Sequence, residues 1–490
     1  MQDLKEFLIK KQKHVMLLAT INLVALISIG QVNFPYIDDS YRRYNRIPNF
    51  AEHYSRWGSE LMSWLVQGSR RLSDLGLVTF ILTAVILTLS SIIIIYVLVG
   101  EKANYFTFIL SSLVGINPWI LNGVAYRFDG PYISMSILMA VFPFLYWKQT
   151  HLRFAISTTI SVFLLNNFYQ ASNGIYAVML LSILLIEFLN NNEKIKTLLV
   201  RTAYSVVSFG LAIGLYLIQL VFLPAVENAR TELVEENIFF TVVRNIEVYV
   251  DILLRHSPRI WIVSYVLLLI VFVIFLFVTS NRKKTITLLS IGLYWILSFV
   301  SSYSIFLFKK HSISGAEPRY VFMFATWAAV IAIICSTRVK KPFVNIFKTL
   351  GLLPFAYYMI SFVFVFSAML SIQKDTFVTQ STLLASDLME IYEVGDQILV
   401  NGRMFGSSRT LYNATANFPI LDDLVHNHGC RQFPNRHWFS EVTGLPVPFD
   451  MYVPSFYNLN HYSVELVLSN HRWDIYRYEH QIFIFIKEKR

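Results

Sequence analysis

The chain has 490 residues, of which 55% are hydrophobic and only 15% charged, with a mean hydropathy of +0.52. Soluble domains carry roughly 25% charged residues, so an ordinary water-soluble enzyme is excluded; 19 glycines and two cysteines exclude collagen-like and disulfide-rich scaffolds. The net charge of +10 falls in short basic clusters between apolar stretches, the distribution of membrane loops and not of a nucleic-acid surface.

Lys5, Lys10, Lys11 and Lys13 precede the first apolar run, 15–34. It exceeds a signal-peptide core of roughly 7–15 residues and lacks a small-residue cleavage site, which predicts a retained first helix. A membrane span needs about 20 apolar residues. Further spans are predicted near 75–99, 104–116, 132–147, 154–168, 173–189, 202–226, 259–280, 285–308, 320–337 and 349–371. The segments at 104–116 and 154–168 are short, so the expected count is nine to eleven. The fold class expected is a polytopic α-helical membrane protein.

Alternate gaps carry Lys102, then Lys148 and Arg153, then Lys194, Lys196 and Arg201, then Arg282 to Lys284, then Arg338 to Lys348. These short basic loops and the N-terminus are predicted to face the cytoplasm. An odd number of spans then carries the C-terminus outside. The opposite loops are 35–73, 117–131 and 227–258, followed by the short stretch around Glu317 and Arg319. They hold many arginines against the orientation rule, which points to an anionic ligand.

The first of these loops opens on Tyr36-Ile37-Asp38-Asp39-Ser40-Tyr41-Arg42-Arg43. Adjacent carboxylates at a membrane surface serve as a general base, as cation ligands, or as a helix cap. Neighbouring side chains diverge, so one of Asp38 and Asp39 faces a substrate and the other braces the local structure. The second loop reads Asn117-Pro118-Trp119 and then Tyr126-Arg127-Phe128-Asp129-Gly130-Pro131. Arg127 offers a planar fork for phosphate, and Asp129 a carboxylate for a sugar hydroxyl or for that arginine. The third motif, Glu317-Pro318-Arg319-Tyr320, puts Arg319 where it neutralises a phosphate or snorkels to headgroups. Tyr169-Gln170, between two short spans, reads as packing.

After about residue 372 the composition turns soluble, and 372–490 is expected to form a small α/β domain, separate from a membrane domain of 1–371. Its His426-Asn427-His428 and Asp422-Asp423 match no defined metal spacing. No phosphate-loop, dinucleotide or nucleophile-elbow motif is present.

The order of the three outer motifs resembles the serotype-converting O-antigen glucosyltransferases of Gtr type, within the GT-C class of polytopic glycosyltransferases. The resemblance covers roughly 15–371. It implies a hexosyltransferase of the bacterial inner membrane, with undecaprenyl-phosphate-glucose as donor and a lipid-linked or growing O-antigen repeat as acceptor. Transfer would be periplasmic and inverting. The functional partners implied are a lipid-glucose flippase and a glucosyl-lipid synthase, within a lipid bilayer and without nucleic acid.

The class places a catalytic or metal-binding acid in the first outer loop, here Asp38 or Asp39, and a second acid in the next, here Asp129. A divalent cation, magnesium or manganese, would be held by Asp38, Asp39 and Asp129 if one is used. Arg42, Arg43, Arg127 and Arg319, with Glu317, are the candidates for donor phosphate and sugar. Trp57, Trp64 and Trp119 are candidates for sugar stacking or interface anchoring. The rival readings are an O-antigen polymerase and a lipid-linked oligosaccharide flippase. Ionisable residues within the spans are scarce, Glu187 being the clearest, which argues against transport.

Overall fold

The computed structural model describes residues 2–36, 38–224, 226, 237–310, 318–400, 407–426, 434–445, 449–450 and 464–487. The chain forms two compact units: Met1–Gln31 with Pro48–Val365, and Val32–Ile47 with Phe366–Arg490. In chain order the helices begin with α1 (Gln2–Lys10), α2 (Gln12–Gly30), α3 (Asp38–Asn45), α4 (Phe50–Tyr54), α5 (Trp57–Gln67) and α6 (Leu77–Leu98). Next come α7 (Tyr105–Ser111), α8 (Pro118–Ala125), α9 (Gly130–Val141), α10 (His151–Phe168), α11 (Asn173–Asn190) and α12 (Ile195–Phe222). They continue with α13 (Ile238–His256), α14 (Arg259–Thr279), α15 (Lys284–Ser302), α16 (Met323–Cys335) and α17 (Pro342–Met389).

Among the described residues, seven helices are long and apolar enough to cross a membrane, and the pair α7–α8, bent by 57°, makes an eighth if it is one span. The protein is a polytopic helical membrane protein. The bend has a local cause. The Asn117 side chain accepts the Trp119 N–H at 3.3 Å, and Pro118 takes the first helical position, where its missing N–H is harmless.

Burial sorts the membrane helices. All 13 residues of α16 are buried, as expected of a central helix that is apolar all round. By contrast α12 exposes Leu199, Val206, Val207 and Leu211, a surface that a lipid solvent accommodates. Helices approach closely at Gly174, where a Cβ would lie 2.6 Å from the Ser302 carbonyl oxygen. Asn22 on α2 donates to the Thr88 hydroxyl on α6 at 2.9 Å.

The stretch expected as one large loop, 227–258, differs. Residues 238–256 form α13, while 225 and 227–236 lie outside the described residues. Arg244, Glu247, Asp251 and Arg255 lower the mean hydropathy, yet their three- and four-residue spacing is that of one helix face. The other face buries Asn245, Tyr249, Ile252 and Leu253.

The second unit adds α18 (Arg409–Asn417), α19 (Leu421–Leu424) and α20 (Pro434–Thr443) to a five-stranded mixed sheet. Its strands are β1 (Gln397–Val400), β2 (Phe449–Asp450), β3 (Glu465–Ser469), β4 (Trp473–Tyr478) and β5 (Gln481–Ile486), in the order β2-β1-β5-β4-β3. β1 runs parallel to β2 and β5, while β3, β4 and β5 form an antiparallel meander. The segment 32–47 belongs here, although the sequence leaves it in the first membrane loop. Aromatic packing explains this. Trp438 stacks on Phe377 at 4.0 Å and meets Phe34 edge-on at 5.5 Å, and the Tyr36 hydroxyl donates to the Leu424 carbonyl at 2.6 Å.

Candidate functional site

The predicted site residues fall into two groups. Asp38, Asp39, Arg42 and Arg43 lie in the second unit; Arg127, Asp129 and Arg319 lie in the first. Glu317, and Asn427 and His428 of the histidine cluster, lie outside the described residues.

In the second unit, Asp38 and Asp39 open α3 and the arginines close it, which matches the helix dipole at both ends. The Asp39 Oδ2 accepts the Tyr36 N–H at 3.2 Å, and the Asp39 N–H returns a bond to the Tyr36 carbonyl at 2.7 Å. The Asp39 carboxylate thus ties the start of α3 to Tyr36. Half-buried Asp38 has no hydrogen bond or ion pair among the described residues. Arg43 is drawn to Glu441 at 2.6 Å, and Arg42 is buried.

In the first unit, Tyr126-Arg127-Phe128-Asp129 is buried throughout, between the end of α8 and the start of α9. Arg127 Nη1 meets Asp74 Oδ2 at 2.6 Å, and the other Asp74 oxygen accepts the Gly76 N–H at 2.8 Å. Arg319, on the turn before α16, donates from Nη1 to the Tyr126 hydroxyl at 2.7 Å and from Nη2 to the Tyr320 hydroxyl at 3.2 Å. Its guanidinium also lies over both rings, at 5.4 and 5.1 Å.

Tyr169 lies at the centre of this charged region. Burial pushes its phenol up to about 12, although Arg56 and Arg319 pull it down; Tyr320 and Asp129 are its other electrostatic neighbours. The phenol stays protonated at neutral pH, so it is a hydrogen-bond donor and not a base. Tyr169 and Gln170, read as packing from the sequence, both contact Arg56, which the sequence did not mark as a site candidate. The clue available was an arginine beside Trp57 in a loop already too basic for its side.

Trp119 is corrected. It is fully buried, donates to the Tyr265 hydroxyl at 3.1 Å and meets Phe324 edge-on, so it neither stacks on a sugar nor anchors the interface. Among the described residues no three His, Cys, Asp or Glu side chains form a metal-ligand group.

A largely apolar cavity of about 480 Å³ lies among α13, α14, α15 and α16. Leu254, Val266, Val300, Phe324 and Trp327 are among its walls. α16 links it to the polar site, because Phe324 follows Arg319 by five residues.

Residues 27–334 match the sequence model of the family described as Glucosyl transferase GtrII. The chain belongs to that family. No curated protein and no solved structure matches it. The matched region holds α3 to α15, most of α16 and every outer motif, so a glucosyltransferase is built here on a multi-pass membrane scaffold.

Proposed function

We propose that this glucosyltransferase moves glucose from undecaprenyl-phosphate-glucose to an O-antigen repeat unit on a lipid carrier, at the periplasmic side of a bacterial inner membrane. The observation that carries the reading is the cluster of Arg56, Arg319 and Asp129 around buried Tyr169, at the loop ends of the membrane helices. Arginine forks suit phosphate oxygens and stabilise a sugar phosphate as it leaves. The apolar cavity beside α16 supplies room for part of an isoprenoid chain. A lipid-linked donor also accounts for the lack of any nucleotide motif.

The chemistry proposed is one displacement. The acceptor oxygen attacks the anomeric carbon while the bond to phosphate breaks; the phosphate leaves with the electron pair, and the carbon inverts. A carboxylate takes the acceptor hydroxyl proton. Asp39 is already engaged with Tyr36, so Asp38 is the member of the pair proposed as base. A flippase presenting the lipid-linked glucose and a synthase making it are the partners this scheme requires.

The test uses purified protein in lipid vesicles, labelled undecaprenyl-phosphate-glucose and lipid-linked repeat units. Label is expected in the acceptor, as one added hexose per repeat, and Asp38→Asn is expected to slow transfer by roughly 10²–10⁴-fold. Longer polymers with no added hexose would establish the polymerase instead.

A further inference from the structure

Arg56 is held against the end of α10 by the residues around it. At Gly58 a Cβ would lie 3.1 Å from the Asn167 carbonyl oxygen and 3.2 Å from its Cβ. A side chain here would press on the end of α10, which would have to give by a few tenths of an ångström. Ser59 donates to the Phe168 carbonyl at 3.1 Å. Arg56 Nε donates to the Gln170 side-chain oxygen at 3.4 Å, and Gln170 donates onward to the Tyr216 hydroxyl at 2.7 Å.

The guanidinium is also held by rings. Its central carbon lies 4.7 Å from the Tyr54 ring centroid and 4.5 Å from that of Tyr169, a cation–π arrangement on two phenols. The two terminal nitrogens of Arg56 have no hydrogen bond or ion pair among the described residues. The forks of Arg127 and Arg319 are in use, by Asp74 for Arg127 and by two tyrosine hydroxyls for Arg319.

We infer that Arg56 is the residue that grips the phosphate of the lipid-linked donor through its two terminal nitrogens, with Tyr54 and Tyr169 as the clamps that aim it. The geometry suits a phosphate, because a planar fork with one edge open offers two parallel N–H donors to two oxygens. Tyr169 does not compete for the site as an anion, since burial pushes its phenol up to about 12. Arg319 and Asp129 are further electrostatic neighbours of Tyr169. The inference rests on the donor proposed above.

The experiment measures two quantities on the purified full-length protein in vesicles. They are the donor concentration giving half-maximal rate and the inhibition by added undecaprenyl phosphate, the leaving product. Arg56→Ala is expected to raise both the half-saturating donor and the inhibitory concentration by roughly 10- to 100-fold, the loss expected for a charge-assisted contact. Arg56→Lys keeps a stacked cation but not the fork, so it folds and recovers only part of the loss. Tyr169→Leu, which removes one clamp, is expected to shift the same two quantities in the same direction.

Wild-type inhibition that persists unchanged in both Arg56 variants overturns the inference. An equal shift in inhibition by phosphatidylglycerol assigns Arg56 to lipid headgroups and overturns it too. A wild-type protein that undecaprenyl phosphate does not inhibit overturns the donor reading, and the inference with it, before any variant is compared.

Discussion

At the scale of single residues, the arginines of the membrane unit divide by what already holds them. Arg127 is buried, but its partner Asp74 at 2.6 Å is exposed, so water screens the carboxylate that remains when the arginine is removed. The loss expected is about 1 kcal/mol for the ion pair, together with the packing of the buried arginine stem. Arg127→Ala is therefore expected to lower the melting temperature in detergent and the yield of folded protein. Removing Asp74 as well should restore part of the loss, because the two effects are coupled. Melting curves of both single variants and the double variant check this. An Arg127→Ala protein that melts like wild type, yet needs far more donor, would move Arg127 from a tie in the fold to a contact with substrate. Asp39 is likewise held by its bond to Tyr36, so the two adjacent carboxylates differ in what holds them.

At the scale of elements, close contacts between helix backbones set what the membrane unit tolerates. At Gly174 an added Cβ would lie 2.6 and 2.8 Å from two carbonyl oxygens of α15. Backbone atoms cannot rotate away as a side chain does, so α11 and α15 would have to part. Gly174→Ala is expected to destabilise the protein by about 1–3 kcal/mol, the usual cost of overpacking. Thermal unfolding in detergent, against the control Gly210→Ala on the open face of α12, measures it. Equal melting of the two variants would show that the α11–α15 contact is looser than the distances indicate.

At the scale of the whole molecule, charge distribution carries the expected orientation, and an odd span count, seven and not eight among the described residues, would carry the C-terminus outside. The short basic loops alternate along the chain with the loops that hold Arg56, Arg127 and Arg319. The rule that cytoplasmic loops are basic then puts the functional site outside. A periplasm-active phosphatase fused after Arg490 should be active, and one fused in the 281–283 loop silent. The reverse pattern would turn the molecule over and put the proposed site in the cytoplasm, where a nucleotide-sugar donor would be available. The outcome thus bears on the chemistry as much as on the topology.

The amino-acid sequence by itself marked the long membrane helices, because hydrocarbon demands a run of about 20 apolar residues and that demand is local; the nine to eleven spans it led one to expect exceed the seven or eight that qualify among the described residues. It likewise determined the mixed C-terminal domain and the family, whose motifs lie in short loops at helix ends. The amphipathic α13 was present as a spacing of charges, yet the lower mean hydropathy concealed it. What only the tertiary structure decided are the partners. Arg56 meets Tyr169 and Gln170 across more than 100 positions, Arg127 takes Asp74 across 53, and the segment 32–47 packs with residues near 377, 424 and 438. No composition or periodicity encodes such pairs, because they depend on which helix ends the fold brings together. A buried charge must find its counter-charge or hydrogen bond wherever packing has placed it.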